Sequence, residues 1–179
     1  MFVLRLRPMV FEVVALPPPA YSAAYIKATN NVFDMDAYKT LDPNMPLAGD
    51  AYPYCWMSGL TANLRYHIAF SQARTIKKII YCNYHNAGYD TNRGVNSFTL
   101  QGSNSESSFN NLNYGTNTGW VDLSTDTNQM VQHTHTYDGV IWKEINVLDE
   151  IPVKYIAIKC NSNHGGSYMG LRRVQVWGY

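Results

Sequence analysis

The sequence predicts an all-β protein, an antiparallel jelly-roll β-sandwich with an extended arm at its N-terminus, and three observations carry that prediction. Short runs rich in Val, Ile, Tyr and Phe recur between turns built from Gly, Asn and Pro. Several runs alternate apolar and polar residues with period two, as in Phe98-Thr-Leu-Gln101. No stretch carries the period of an amphipathic helix. Many short strands with such turns bury their apolar faces by stacking two sheets.

Residues 1–16, rich in Val, Leu and Phe, predict one or two short strands, and Pro17-Pro18-Pro19 stiffens the chain into an extended spacer. The arm and spacer are therefore assigned to residues 1–19 and a single domain to 20–179. The arm can add a strand to its own domain's edge or dock on a neighbouring subunit; the residues do not choose. A short β-run spans 21–27, and Leu41 to Asp50 is dense in turn formers. Leu64 to Phe70 and Thr75 to Tyr84 read as two strands. His85 to Gly94 then forms a polar, ring-bearing loop before a strand over 95–103. Residues 104–119 form a polar connection anchored by Phe109 and Leu112. A hairpin is expected from 129–137 and 140–147, turned at Asp138-Gly139. The last strands, 153–160 and 168–177, flank the loop Asn161 to Ser167. Trp56, Trp142 and Trp177 are expected in the core, with Trp120 fitting either core or surface.

Of the 179 residues, 46% are hydrophobic and 13% aromatic, while Asp, Glu, Lys and Arg make up only 15%. The polar surface must then come from Asn, Ser, Thr, Gln and Tyr, which suits hydroxyl-rich or protein partners. A net charge of +1 with no cluster of Lys and Arg gives no footprint for nucleic acid. No run approaches the roughly 20 apolar residues of a membrane span, and Glu12 interrupts the apolar run that a secretory signal needs. Cys55, Cys82 and Cys160 lack metal-type spacing; buried free thiols are expected, with a Cys82–Cys160 disulfide as the alternative.

The order Asp36-Ala37, Cys55-Trp-Met-Ser-Gly59, Leu64 to Phe70, Thr75-Ile-Lys-Lys-Ile-Ile80, Ser97-Phe-Thr-Leu-Gln-Gly-Ser-Asn104, Lys154-Tyr-Ile-Ala-Ile158 and Leu171-Arg-Arg-Val-Gln-Val-Trp-Gly178 resembles the discoidin-like family. This is the family of coagulation factor V/VIII type C domains and galactose-binding-like carbohydrate modules, and the resemblance covers roughly 21–179. It implies a jelly roll that binds sugars, lipid head groups or proteins through loops at one end, here 42–56, 85–93 and 161–167. Many sugar-binding members carry a glutamate before the last strand that is associated with a structural calcium ion. The matching position is Arg173, which disfavours calcium; Asp36, Asp42 and Asp50 are the oxygen donors still on offer. No other cofactor is implied.

Sugars are bound by stacking a C–H face on an aromatic ring while amides, imidazoles or guanidinium bond the hydroxyls. The loops supply His85, Asn86, Tyr89, Asp90, Asn92 and Arg93 on one side and Asn161, Asn163, His164 and Tyr168 on the other. The expected ligand-binding set is His85, Asn86, Tyr89, Arg93, Asn161, Asn163, His164 and Tyr168. His133 and His135 form an i, i+2 pair that on a strand would share one face, the nearest approach to a transition-metal motif. No nucleophile elbow, zinc-protease motif or phosphate loop occurs.

The first functional expectation is a non-catalytic, lectin-like module on an extracellular or virion surface, plausible as an adhesion or decoration component of a phage particle, with a cell-surface glycan as partner. The alternative is a structural attachment subunit of a tail, capsid or fibre, contacting other subunits through its arm within an oligomer. A metalloenzyme using His133 and His135 is the third.

Overall fold

The computed structural model describes residues 12–179. Its strands are β1 Val14–Ala15, β2 Ile26–Ala28, β3 Trp56–Ser58, β4 Ala62–Asn83, β5 Phe98–Ser103, β6 Val121–Asp122, β7 Lys143–Asn146, β8 Pro152–Ser162 and β9 Met169–Gly178, with a short helix α1, Glu106–Asn110. Every strand pairing is antiparallel. One sheet runs β2–β4–β8–β5–β6; the other runs β7–β4–β9, with β1 and β3 on the free side of β9. Among the described residues no helix is long and apolar enough to cross a membrane.

β4 belongs to both sheets. Its first half pairs with β2 and β8 and its second half with β7 and β9, and the register shifts between Ala69 and Arg74. Ser71, Gln72 and Ala73 at that shift are exposed. An irregularity of this kind bends a strand and increases its twist, which lets one strand turn the corner of a sandwich. The two strands expected at 64–70 and 75–84 are thus halves of one 22-residue strand.

Period-two alternation places Leu64, Tyr66, Ile68 and Phe70 on the inner face of β4, where they meet Ile156, Ile158 and Cys160 of β8, Phe98 and Leu100 of β5, and Leu171, Val174 and Val176 of β9 around Trp56. Burying each such aliphatic side chain contributes about 1.5–3 kcal/mol. The opposite face is also covered. Ala69, Ala157 and Tyr155 pack beneath Phe109 of α1 and Trp120, so Arg65 and His67 of β4 are fully buried as well. Ser105 caps α1 by accepting the Ser108 N–H at 3.3 Å.

The expected hairpin and the expected burial of Trp142 and Trp177 are both overturned. Residues 129–137 form no strand of a hairpin with β7, which pairs instead with β4 through Ile145 and Ile79. Asp138 is drawn away from a local turn because its carboxylate accepts the Gly49 N–H at 2.8 Å, and Thr136, not Gly139, takes a left-handed φ of 66°. Trp142 is 42% exposed and Trp177 half-buried, because both stand on the outer face of the second sheet; Trp120 is buried. All three cysteines are buried free thiols. The described end of the arm adds to the chain's own sheet, with Val14 opposite Gly178 and Leu16 in the core. The expected strand content of residues 1–11 lies outside the described residues.

Candidate functional site

Loops from distant parts of the chain are tied together at one end of the sandwich by backbone hydrogen bonds. Val32 N–H donates to the Met57 carbonyl at 3.0 Å, Ala87 to Gly49 at 3.0 Å and Thr136 to Gly88 at 2.7 Å. Gly166 donates to Asn92 at 3.0 Å and His164 to Gly94 at 3.2 Å, so the two loops named from the sequence do converge. The close approaches need glycine: a Cβ at Gly88 would lie 2.9 Å from the Tyr137 backbone, and one at Gly166 2.9 Å from the Asn92 carbonyl.

Within this cluster an open groove of about 370 Å³ is lined by Phe33, Met35, Tyr52, Met57, Tyr84, Asn86 and Arg93, a volume in the usual range of ligand pockets. Its rims are aromatic and wet: Phe33 is 59% and Tyr52 56% exposed. Phe33 sits at φ 54° and Asp34 at φ 55°. This left-handed pair costs a bulky residue of order 1 kcal/mol and presents its ring outward rather than into the core. The Phe33 ring lies 6.1 Å from that of Tyr168.

The polar part comes from Arg93 and Asn86. Arg93 ends the short 3₁₀ turn Thr91–Arg93; its Nη1 is 3.0 Å from Asp90 Oδ2, and its guanidinium lies 5.1 Å from the centre of the Tyr168 ring. Carboxylate and ring together fix a planar donor fork at the groove and neutralise its charge. Asn86 Oδ1 accepts the Ala51 N–H at 2.9 Å, which turns its amide nitrogen toward Asp90 at 3.5 Å. Burial pushes the Tyr84 phenol up to about 12, against the opposing pull of Arg93, so its hydroxyl stays protonated. The lining offers no carboxylate, imidazole or thiol.

Of the residues expected to bind ligand, Asn86 and Arg93 line the groove and Tyr168 supports it. His85 does not: it is fully buried, with its ring stacked 4.1 Å from His133, and burial, then the nearby His133 and Arg172, lower its pKa to about 4. Tyr89 is 56% exposed and meets His135 edge-on at 5.5 Å, outside the groove lining. Asn161, Asn163 and His164 hold their own loop. Asn161 accepts the Tyr114 hydroxyl at 2.7 Å, Asn163 donates to the Gly166 and Tyr168 carbonyls at 2.7 and 2.6 Å, and His164 Nε2 donates to the Met130 carbonyl at 3.0 Å. Phe33, Tyr52 and Tyr84 were not anticipated. Their signal was an aromatic residue set among turn formers, Asn30-Asn31-Val-Phe-Asp34 and Gly49-Asp-Ala-Tyr52.

The expected metal donors are not gathered. Asp36 accepts from Asn31 at 3.2 Å, Asp42 from the Asn44 N–H at 2.9 Å, and Asp50 is exposed. Arg173 instead reaches the carbonyls of Asp42 and Met45 through Nη1 and Nη2. His133 and His135 do not share a face, since no strand forms there and only His133 is buried.

No protein-family model matches the chain, and no curated protein matches it by sequence. Solved structures do. The family 32 carbohydrate-binding module of Clostridium perfringens NanJ, in complex with galactose, superposes with a TM-score of 0.58 at 14% identity, covering 93% of this chain and 99% of that one. An F5/8 type C domain from Bacteroides fragilis gives 0.58 at 13%, covering 93% and 96%. The Streptococcus pneumoniae β-galactosidase BgaA gives 0.67 at 9%, covering 93% and 99%. A truncated AlyQ with CBM32 and alginate lyase domains gives 0.59 at 10% over 94% of this chain, which spans only 34% of that longer one. The described chain therefore has the discoidin-like, F5/8 type C fold of the galactose-binding-like β-sandwiches.

Proposed function

We propose that this chain is a non-catalytic carbohydrate-binding module whose loop-end groove takes a neutral hexose. The apolar face of the pyranose lies against Phe33 and Tyr52, while Asn86 and Arg93 hydrogen-bond its hydroxyls. The observation that carries this reading is the groove itself, lined by two exposed aromatic rings together with an amide and a guanidinium whose charge is matched by Asp90. A galactose complex of a structural neighbour at the same fold supports a glycan partner.

The attachment reading, in a phage particle or another large assembly, draws its support from the low charge and the apolar arm; most of that arm lies in residues 1–11, and its described end pairs with β9. The groove favours the glycan reading. Calorimetric titration with galactose and related hexoses tests it. Phe33→Ala, Tyr52→Ala and Arg93→Ala are each expected to weaken binding about tenfold or more, equivalent to about 1.4 kcal/mol, with the thermal transition unchanged for Phe33→Ala. Full affinity in all three variants would move the site elsewhere.

A further inference from the structure

Beyond the groove, we propose that Cys82, His85 and His133 form a binding site for a single zinc ion that clamps the 130–140 loop to the end of β4. One ligand atom from each residue lies within 4.8 Å of the others, and it is the single such cluster of three among the described residues. Cys82 and His85 are fully buried and His133 is 3% exposed. One thiolate and two imidazoles are a donor set that zinc accepts, and a tetrahedral ion would bring the donor atoms to about 3.3–3.8 Å apart. The contraction required is small, and the exposed 134–138 stretch can supply both the movement and the route of entry.

The hydrogen-bonding of the two rings points the same way. Both nitrogens of His133 face carbonyl oxygens, Nδ1 at 3.0 Å from Thr134 and Nε2 at 2.9 Å from Gly139. A neutral imidazole has one N–H, so one contact sets a lone pair against an acceptor. Ligation through Nε2 keeps Nδ1–H on Thr134 and asks only the Gly139 carbonyl to turn away, which a glycine allows. A second N–H held by a carbonyl is also how metal-bound histidines are oriented. In His85, Nδ1 accepts the Gly88 N–H at 3.3 Å, while Nε2 is buried with no hydrogen-bond partner. Ligation through Nε2 moves the ring proton to Nδ1, so the Gly88 N–H must turn away and Nδ1–H must close on the Asp138 carboxylate, 3.8 Å away in the metal-free chain. Burial raises the Cys82 thiol's pKa in the metal-free chain, with Arg172 and Arg173 opposing it, so the ion itself must displace the proton.

The site joins segments that the strand pairing leaves apart, since Cys82 lies one residue before the end of β4 and His133 lies in the loop that forms no hairpin. The test uses the full chain, stripped with a chelator and titrated with Zn²⁺ and Co²⁺. One ion per chain is expected, with a rise in the thermal midpoint and, for Co²⁺, a thiolate-to-metal charge-transfer band. Cys82→Ser abolishes the band, His133→Asn lowers Zn²⁺ affinity at least tenfold, and His135→Ala changes neither. Asp138→Asn lowers affinity about 10–100-fold, as loss of an outer carboxylate does. If Cys82→Ser does not fold, Zn²⁺ protection of the wild-type Cys82 thiol from alkylation under mild denaturant serves instead. No charge-transfer band in folded wild type, a band that survives Cys82→Ser, or no uptake of either ion by the stripped chain would each overturn the proposal.

Discussion

Arg173 shows how one residue reorganises a loop. Its side chain is almost fully buried without a carboxylate partner, and its two Nη groups donate to the carbonyls of Asp42 and Met45. The neighbouring Arg172 does the same for Ala48 and Gly49, at 2.7 and 3.2 Å. A loop of carbonyls thus closes over fixed cations in the protein itself. Arg173→Met removes two charge-assisted bonds and strands both acceptors, so a loss of about 3 kcal/mol is expected in urea unfolding; unchanged stability would show that water replaces the guanidinium. That a cation stands at this position was legible in the sequence. That backbone carbonyls receive it was not, because carbonyl positions depend on the path of the loop. His67 makes a second case at this scale. Its Nδ1 donates to the Phe109 carbonyl at 2.8 Å, the Trp120 ring lies tilted 4.9 Å away, and burial lowers its pKa from 6.5 to about 4, with Arg65 and Lys27 pushing the same way. The unfolded chain therefore binds a proton that the folded chain refuses between those values. Stability is complete above about pH 6.5 and falls as pH drops toward 4, by up to about 1.4 kcal/mol per unit from this group. Replacing His67 with Gln should remove that share of the slope in pH-dependent unfolding.

At the scale of elements, β4 and the 111–119 connection explain each other. Arg65 projects from the non-core face of β4, where it bonds the Asn113 carbonyl at 3.0 Å, Gln101 Oε1 at 3.1 Å, Asn117 Oδ1 at 2.9 Å and the Thr116 carbonyl. One guanidinium thereby fastens a connection with no strand of its own across that span. Arg65→Ala should cost about 3 kcal/mol and expose 111–119 to rapid hydrogen exchange; exchange confined to other segments would refute the tether. The alternation of Leu64 to Phe70 was legible because period two survives wherever one face meets the core. Continuity through Ser71-Gln-Ala73 was not, since a polar corner within one strand has the composition of a turn between two. The hairpin at Asp138-Gly139 failed for a related reason: its dipeptide is a local signal, and the Gly49 N–H offered Asp138 a partner from a distant loop.

For the whole molecule, two stacked sheets make a rigid support, and the groove of the proposed site lies where the β2–β3, β4–β5, β6–β7 and β8–β9 connections meet at one end. That Asn86 and Arg93 face the groove was readable because they lie in a polar loop between obvious strands. Phe33 and Tyr52 escaped notice because aromatics usually signal core, and only a left-handed backbone or a solvent-facing loop turns them outward. The discriminating measurement is a galactose titration of the labelled protein followed by amide chemical shifts. The account predicts saturable shifts confined to residues 33–35, 52, 57, 84–93 and 168, absent in the Arg93→Ala variant. Shifts centred instead on the exposed Trp142 and the outer face of β7, or none at saturating sugar, would contradict it.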